Sequence, residues 1–241
     1  MPQLLRIVGS AALNAEKPQP VAKVKPRKKQ YERSAATQDK LLEATYRILR
    51  DSGHAALRSA SISRESGVSR GGLLHHYPTK ELLIASVLER IIEGMEEESW
   101  KQIDSIEDDV EDDVLLSAIV SDACRRFLDE SYRVLLDILI ASGERGPVAD
   151  VWKSWSDGSR GSARDGWAKK LASAGVDATV AEEVTSFLWA MVKGQVARNL
   201  VRRDQDLCDR IIALGLDLAN SRCAGSRRTS RSNVVARNKT S

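Results

Sequence analysis

Between residues 37 and 91, apolar positions recur at three- and four-residue spacing, broken at Gly53, Gly67 and Pro78. Leu41, Leu42, Ala44, Thr45, Ile48 and Leu49 form one stripe. They predict a first helix from about Gln38 to Asp51, with Thr37 as N-cap and Gly53 just past its end. A second helix is expected over Ala60–Ser66, capped by Ser59, with Ile62 turned inward. Gly67 permits a tight bend, Val68 packs beneath it, and Ser69 caps a third helix, Arg70–His76, which Pro78 stops. Thr79 then caps a fourth helix reaching about Gln102. Glu81 suits its N-terminal dipole, and Leu82, Leu83, Val87, Leu88 and Ile91 carry its stripe. Two short helices around a tight turn are the arrangement that lays one helix across a DNA groove.

The same spacing continues to residue 218. It predicts helices over Val114–Leu128, Tyr132–Ala141, Val148–Ala174, Val180–Val201 and Leu207–Leu218. Gly143, Gly146 and Pro147 make a break, and Gly158, Gly161 and Gly166 kink or divide the third of these helices. No convincing strand run interrupts the pattern. The fold class expected is all-α: an N-terminal three-helix helix-turn-helix domain followed by a larger helical domain, about nine helices in all.

Charge changes this picture by giving it polarity. The 241 residues carry a net +3, unevenly spread. Residues 1–35 hold eight Lys/Arg against two acids, residues 36–82 seven against five, residues 83–220 sixteen against twenty-seven, and residues 221–241 six against none. The basic ends are drawn to phosphate and the acidic body is repelled from it. Residues 1–35 read as a disordered basic arm and residues 221–241 as a disordered basic tail. The arm is placed in or beside a minor groove on one reading. It is an untethered tail, or the product of a wrongly chosen upstream start codon, on the other. Leu4 to Leu13 is too short and too interrupted by Arg6, Gly9 and Ser10 for a signal peptide, and no stretch approaches a membrane span. A cytoplasmic location is expected, and Cys124, Cys208 and Cys223, odd in number and without a CxxC, agree with it.

The third helix carries the candidate chemistry. Gly71 and Gly72 cost roughly 1 kcal/mol each against alanine, which a helix tolerates where another surface must approach its backbone. Arg70 lies on the first turn, where arginine reads guanine in bidentate fashion. His75 and His76 point about 100° apart and cannot chelate one ion from one face, so no metal site is expected. No Ser-His-Asp set, phosphate loop, HExxH or CxxC pair stands out. Neither an enzyme nor a cofactor is expected.

The run SGVSRGGLLHHYPTKELL resembles the DNA-binding signature of the TetR (tetracycline-repressor) family, whose usual form is AGVSxGtLYxHFxxKexLl. Gly67, Val68, Ser69, Gly71, Leu73, His76, Lys80 and Leu83 fall in register, over a match of about fifty residues from Thr37 to Glu89. Tyr77 stands where Phe is usual, Leu74 where Tyr is usual and Arg58 where Thr is favoured. The resemblance implies that Ser69, Arg70, Gly71, Gly72, Leu74 and His75 approach base edges or nearby backbone. His76, Tyr77 and Lys80 then clamp phosphates or brace the third helix, Thr37 makes a backbone contact, and Arg58 and Ser59 lie at the start of the second helix. Leu74 offers only an apolar contact, such as a thymine methyl.

The resemblance further implies domains at 36–82 for DNA and 83–220 for ligand binding and dimerisation. The last two helices pair with their twins in a four-helix bundle, which suits their wide apolar faces. Trp100, Phe127, Trp152, Trp155, Trp167, Phe187, Trp189 and Met191 are candidates to line a ligand cavity, or else form ordinary core. Arg125, Arg126 and Arg145 either meet an anionic ligand group or are surface charges. The function expected is a homodimeric repressor released from a palindromic operator on double-stranded DNA by a small-molecule inducer. The alternative is a DNA-binding activator or architectural protein without a small-molecule ligand.

Overall fold

The computed structural model describes residues 27–107, 110–156, 162–201 and 204–238. Contacts divide the chain into two compact units, Met1–Ala36 and Thr37–Ser241. Of the first unit, the described part is helical from Arg27 onward. Residues 1–26 of the expected arm lie outside the described residues. The rest of this section concerns the second unit.

Ten α-helices and one 3-10 turn make up the described residues, with no strand among them. They are α1 (Arg27–Ser52), the 3-10 turn (His54–Ala56), α2 (Ser59–Ser66), α3 (Arg70–His76), α4 (Lys80–Ser105) and α5 (Asp112–Leu128). There follow α6 (Glu130–Ser142), α7 (Pro147–Ser156), α8 (Ala163–Ser173), α9 (Ala178–Val201) and α10 (Gln205–Asn238). The all-α reading holds, with more than the expected nine helices because the stretch from Val148 to Ala174 is two helices, α7 and α8.

Both ends of the helical array differ from the sequence expectation. α1 starts eleven residues before Gln38, so Thr37 lies inside the helix and is not its N-cap. The preceding residues, RKKQYERSAA, are mostly good helix formers and give the helix no reason to stop. α10 runs on to Asn238 through the stretch expected as a disordered tail. Tertiary contacts hold its first part: Cys223 is fully buried, Ser226 Oγ accepts from Asp177 N at 3.0 Å, and Arg227 bonds to Asp112 and to the Ala174 carbonyl.

Two apolar cores hold the unit together. The first gathers Leu41 and Leu49 of α1, Ile62, Leu73, Tyr77 and the first half of α4 around Val134, Leu135 and Ile138 of α6 and Val148 of α7. The second gathers α5, α8, α9 and the buried side of α10, with Trp167 at 0 % exposure, and takes Ile103 from the far end of α4. α4 is therefore common to both. At 1.5 Å per residue its 26 residues span about 39 Å. Burial of this kind contributes roughly 25 cal/mol per Å² of apolar surface and is the main stabilising term.

Candidate nucleic-acid interface

The turn between α2 and α3 is built as the sequence spacing requires. Gly67 takes the left-handed conformation, φ 67° and ψ 12°, which closes α2 and which L side chains rarely adopt. Ser69 is extended, and its Oγ accepts from Gly72 N at 3.2 Å, capping α3. Ile62 and Leu73 are buried and fix the two short helices on the core below. Tyr77 ends α3, its N–H donating to the Leu73 carbonyl at 2.8 Å. Its ring is buried in the core that holds Leu73 and the first turns of α4. Burial pushes the Tyr77 phenol above its ordinary range, opposed by a hydrogen bond with Ser86.

The outward face of the head is defined by what this packing leaves exposed. Arg58, Ser59, Ser69, Arg70, Gly71, Leu74 and His75 are exposed, with Leu74 at 48 % an unusually open apolar side chain. Thr37, Gly72, His76 and Lys80 are half-buried, and Tyr77 is buried. Arg58 is the extended N-cap of α2, and Ser59 is the first helical residue rather than the cap. The His75 and His76 rings meet edge to face, 5.2 Å apart. Among the described residues no group of three or more His, Cys, Asp or Glu could hold a metal ion.

The two glycines of α3 differ. A Cβ on Gly72 would sit 2.9 Å from Val68 Cγ1, whereas a Cβ on Gly71 would meet nothing within 4 Å. Gly72 is thus required by the chain's own turn. Only Gly71 leaves backbone open to an outside surface.

A cavity of about 460 Å³ opens behind the head, along the middle of α4. Glu89, Ile92, Glu93, Glu96 and Trp100 of α4 form one wall. Asp150, Val151, Ser154 and Trp155 of α7, with Ser162 before α8, form the other. Buried polar contacts tie this wall to the second core. Glu96 Oε1 accepts from Arg126 at 2.8 Å and Glu96 Oε2 from Ala163 N at 2.6 Å. Arg126, almost wholly buried, also donates to the Met95 carbonyl at 3.1 Å and stands 5.1 Å over the Trp189 ring. Asp122, fully buried, accepts from Ser99 Oγ at 2.8 Å and Trp167 Nε1 at 2.7 Å and pairs with Arg125. Arg125 and Arg126 are thereby committed to protein carboxylates, and Arg145 is exposed.

Residues 41–87 match the family model for bacterial regulatory proteins of the tetR family. The chain is 30 % identical over 202 residues to the HTH-type transcriptional regulator CymR of Pseudomonas putida, covering 84 % of this chain and 98 % of that protein. The chain belongs to the TetR family. As a TetR-family protein it is a DNA-binding transcriptional regulator, not an enzyme. Its fold is shared by a regulator from Saccharomonospora viridis solved in complex with choline: TM-score 0.59, 17 % identity, 76 % of this chain and 95 % of that one. It is shared too by the multidrug binding protein EbrR complexed with ethidium, at TM-score 0.52 and 17 % identity, over 74 % and 97 %.

Within this TetR-family body the aromatic candidates do not share one cavity. Trp100 and Trp155 line the α4–α7 cavity. Trp152 lies tilted against Trp155, with ring centroids 4.8 Å apart and 43° between the ring planes. Trp167 and Trp189 are core, Phe127 packs edge-to-face on Trp189 and Tyr132, and Met191 packs against Gly215 of α10. Phe187 is 43 % exposed on α9. Sequence reasoning missed the carboxylates Glu89, Glu93 and Glu96. Their signal was available, because 89, 93, 96 and 100 lie on one helical stripe.

Proposed function

We propose that the protein is a homodimeric repressor that grips a palindromic operator in the cytoplasm and is released by a small molecule held in the α4–α7 cavity. Residues 36–82 serve as the DNA-binding domain and residues 83–220 as the ligand-binding and dimerisation domain. In each head Arg70 reads a guanine, Leu74 meets a thymine methyl and His75 lies at the base edges. Gly71 admits the duplex close to backbone. Arg58, Ser59, Thr37 and Lys80 take phosphates, which position without specifying. Ser69 and Gly72 shape the turn, while Tyr77 and His76 brace it.

One observation carries the release step. α4 lines the cavity at Glu89–Trp100, and its first turns at Leu83, Ile84 and Val87 share a core with Leu73 and Tyr77 of the head. An occupant that binds better when α4 is shifted therefore favours a state with misplaced heads, by differential affinity alone. The reading calls for a twofold dimer, because a seven-residue helix reads too few bases alone. Phe187 of α9 and Leu214 and Leu218 of α10 are exposed at 43 %, 59 % and 54 %, an apolar face suited to a second copy. Fluorescence anisotropy with DNA upstream of the gene and of its neighbours tests this. A duplex bound no better than random sequence at equal salt would reject an operator-reading regulator.

A further inference from the structure

We propose that a second cavity, between α1, α4 and the α5–α6 corner, takes a neutral hydroxyaromatic molecule. The site is separate from the α4–α7 cavity and stands without it.

This cavity holds about 390 Å³. Leu42 and Tyr46 of α1 and Val87, Ile91 and Met95 of α4 give it an apolar lining. On α4, residues 87, 91, 94 and 98 share one stripe, and the α4–α7 cavity uses the opposite one, 89, 93, 96 and 100. The helix carries a cavity on each face.

Gly94 is the first pointer to an occupant. It lies in the middle of a 26-residue helix, where glycine is a poor helix former. Gly166 and Gly215 are accounted for by Trp100 and Met191, which fill the space a Cβ would take. A Cβ on Gly94 would meet nothing within 4 Å, and the residue opens into the cavity. Bare helix backbone there admits the flat face of a ring, beside the Tyr46 ring and the Met95 thioether.

The charges on the wall favour a neutral occupant. Three arginines and three carboxylates line it, and each is already engaged. Arg90 pairs with Asp39 at 3.0 Å, Arg126 with Glu96 at 2.8 Å, and Arg125 with Asp122. Glu98 pairs with Lys101 at 2.8 Å and Glu43 with Arg47 at 3.9 Å, while Asp129 accepts from Ser131 N at 2.7 Å. The wall holds neither sign in excess, so an ion entering it loses hydration without gaining an uncommitted counter-charge.

A hydroxyl pair supplies the polar handle. Tyr46 Oη and Ser131 Oγ lie 3.0 Å apart, half-buried, on the two sides of the cavity. One donates to the other, which leaves the pair one O–H to give and lone pairs to accept. A ligand hydroxyl both donates and accepts and so matches the pair, where an ether or carbonyl uses half of it.

The test uses equilibrium dialysis of the full-length protein against four naphthyl probes at neutral pH. They are 2-naphthol, its methyl isostere 2-methylnaphthalene, 2-naphthoate and 2-naphthylmethylammonium. Naphthol is expected to bind about fivefold more tightly than the methyl isostere, and both ions more weakly than naphthol. Gly94→Leu fills the cavity and should lower the affinity of both neutral probes about tenfold. Leucine suits the helix, and thermal melting checks the fold. Tyr46→Phe/Ser131→Ala removes both hydroxyls and leaves neither unpaired. It should abolish the preference for naphthol and spare the methyl isostere, which decides the matter even if Gly94→Leu does not fold. No naphthol binding, an ion bound as tightly as naphthol, or a preference for naphthol that survives loss of both hydroxyls would overturn the proposal. So would naphthol affinity unchanged in folded Gly94→Leu, which places the probe elsewhere.

Discussion

Two adjacent glycines in α3 have different causes. From sequence they looked like one signal, a helix softened for close approach by DNA. The 2.9 Å separation between a Cβ at 72 and Val68 Cγ1 assigns Gly72 to the turn, and the open space at Gly71 leaves that position to the outside. Gly72→Ala should therefore destabilise the folded protein by about 1–3 kcal/mol in urea unfolding, through overpacking. Gly71→Ala should be neutral or stabilising by up to about 1 kcal/mol, yet weaken operator binding if the duplex sits against that backbone. Arg70→Ala should lose about 1–3 kcal/mol of operator affinity and relax preference at one base pair per half-site. Equal loss on random duplex would make Arg70 a phosphate contact instead. Cys223 offers a pH handle. Burial pushes its thiol up to about 11 from an ordinary 9.0, opposed in part by Arg227 and Arg222. An acid whose folded value is raised stabilises below its unfolded value. Its contribution should fade as pH rises from about 9 to about 11. Cys223→Ala should flatten that part of the stability–pH curve relative to wild type.

Elements were legible wherever a stop signal sits beside a stripe. The bounds of α3 follow from Ser69 and Pro78, and the starts of α2 and α4 fall within a residue of expectation. The outer ends of α1 and α10 were not legible, for different reasons. The residues before Thr37 lack a stripe but keep helical propensity, and α1 extends back through them to Arg27. α10 passes residue 220 because Cys223 and Arg227 find partners on elements far away in the chain, which no local pattern reports. The cavity shows the same limit. The acidic stripe of α4 reads locally as a solvated face. Only α7 folding back, with Trp155 and Asp150, makes a concave site of it. Trp167, a plausible lining residue by type, instead spends its N–H on the buried carboxylate of Asp122.

At the scale of the whole molecule, the exposed apolar face of α9 and α10 is the surface through which the proposed dimer would bring two heads together. Gly215 lets these helices close up, since a Cβ there would run into the Met191 thioether. Leu214 and Leu218 stay outside, facing away from the core. Leu214→Glu/Leu218→Glu should shift the protein from dimer to monomer in light scattering after size exclusion. It should also cost operator affinity far more than random-duplex affinity, because two half-sites are no longer read together. A dimer that survives both charges would place the twofold axis elsewhere.

The seating of Trp100 on Gly166 has a practical corollary. Any side chain at 166 must shove that indole forward, because two ring carbons lie within 2.9 Å of where its first carbon would stand and Ile103 blocks retreat at 3.0 Å. Forward is the space the inducer would occupy. Gly166→Ala is thus an internal plug, expected to produce a regulator deaf to its signal that stays clamped on its operator in reporter assays at every inducer dose.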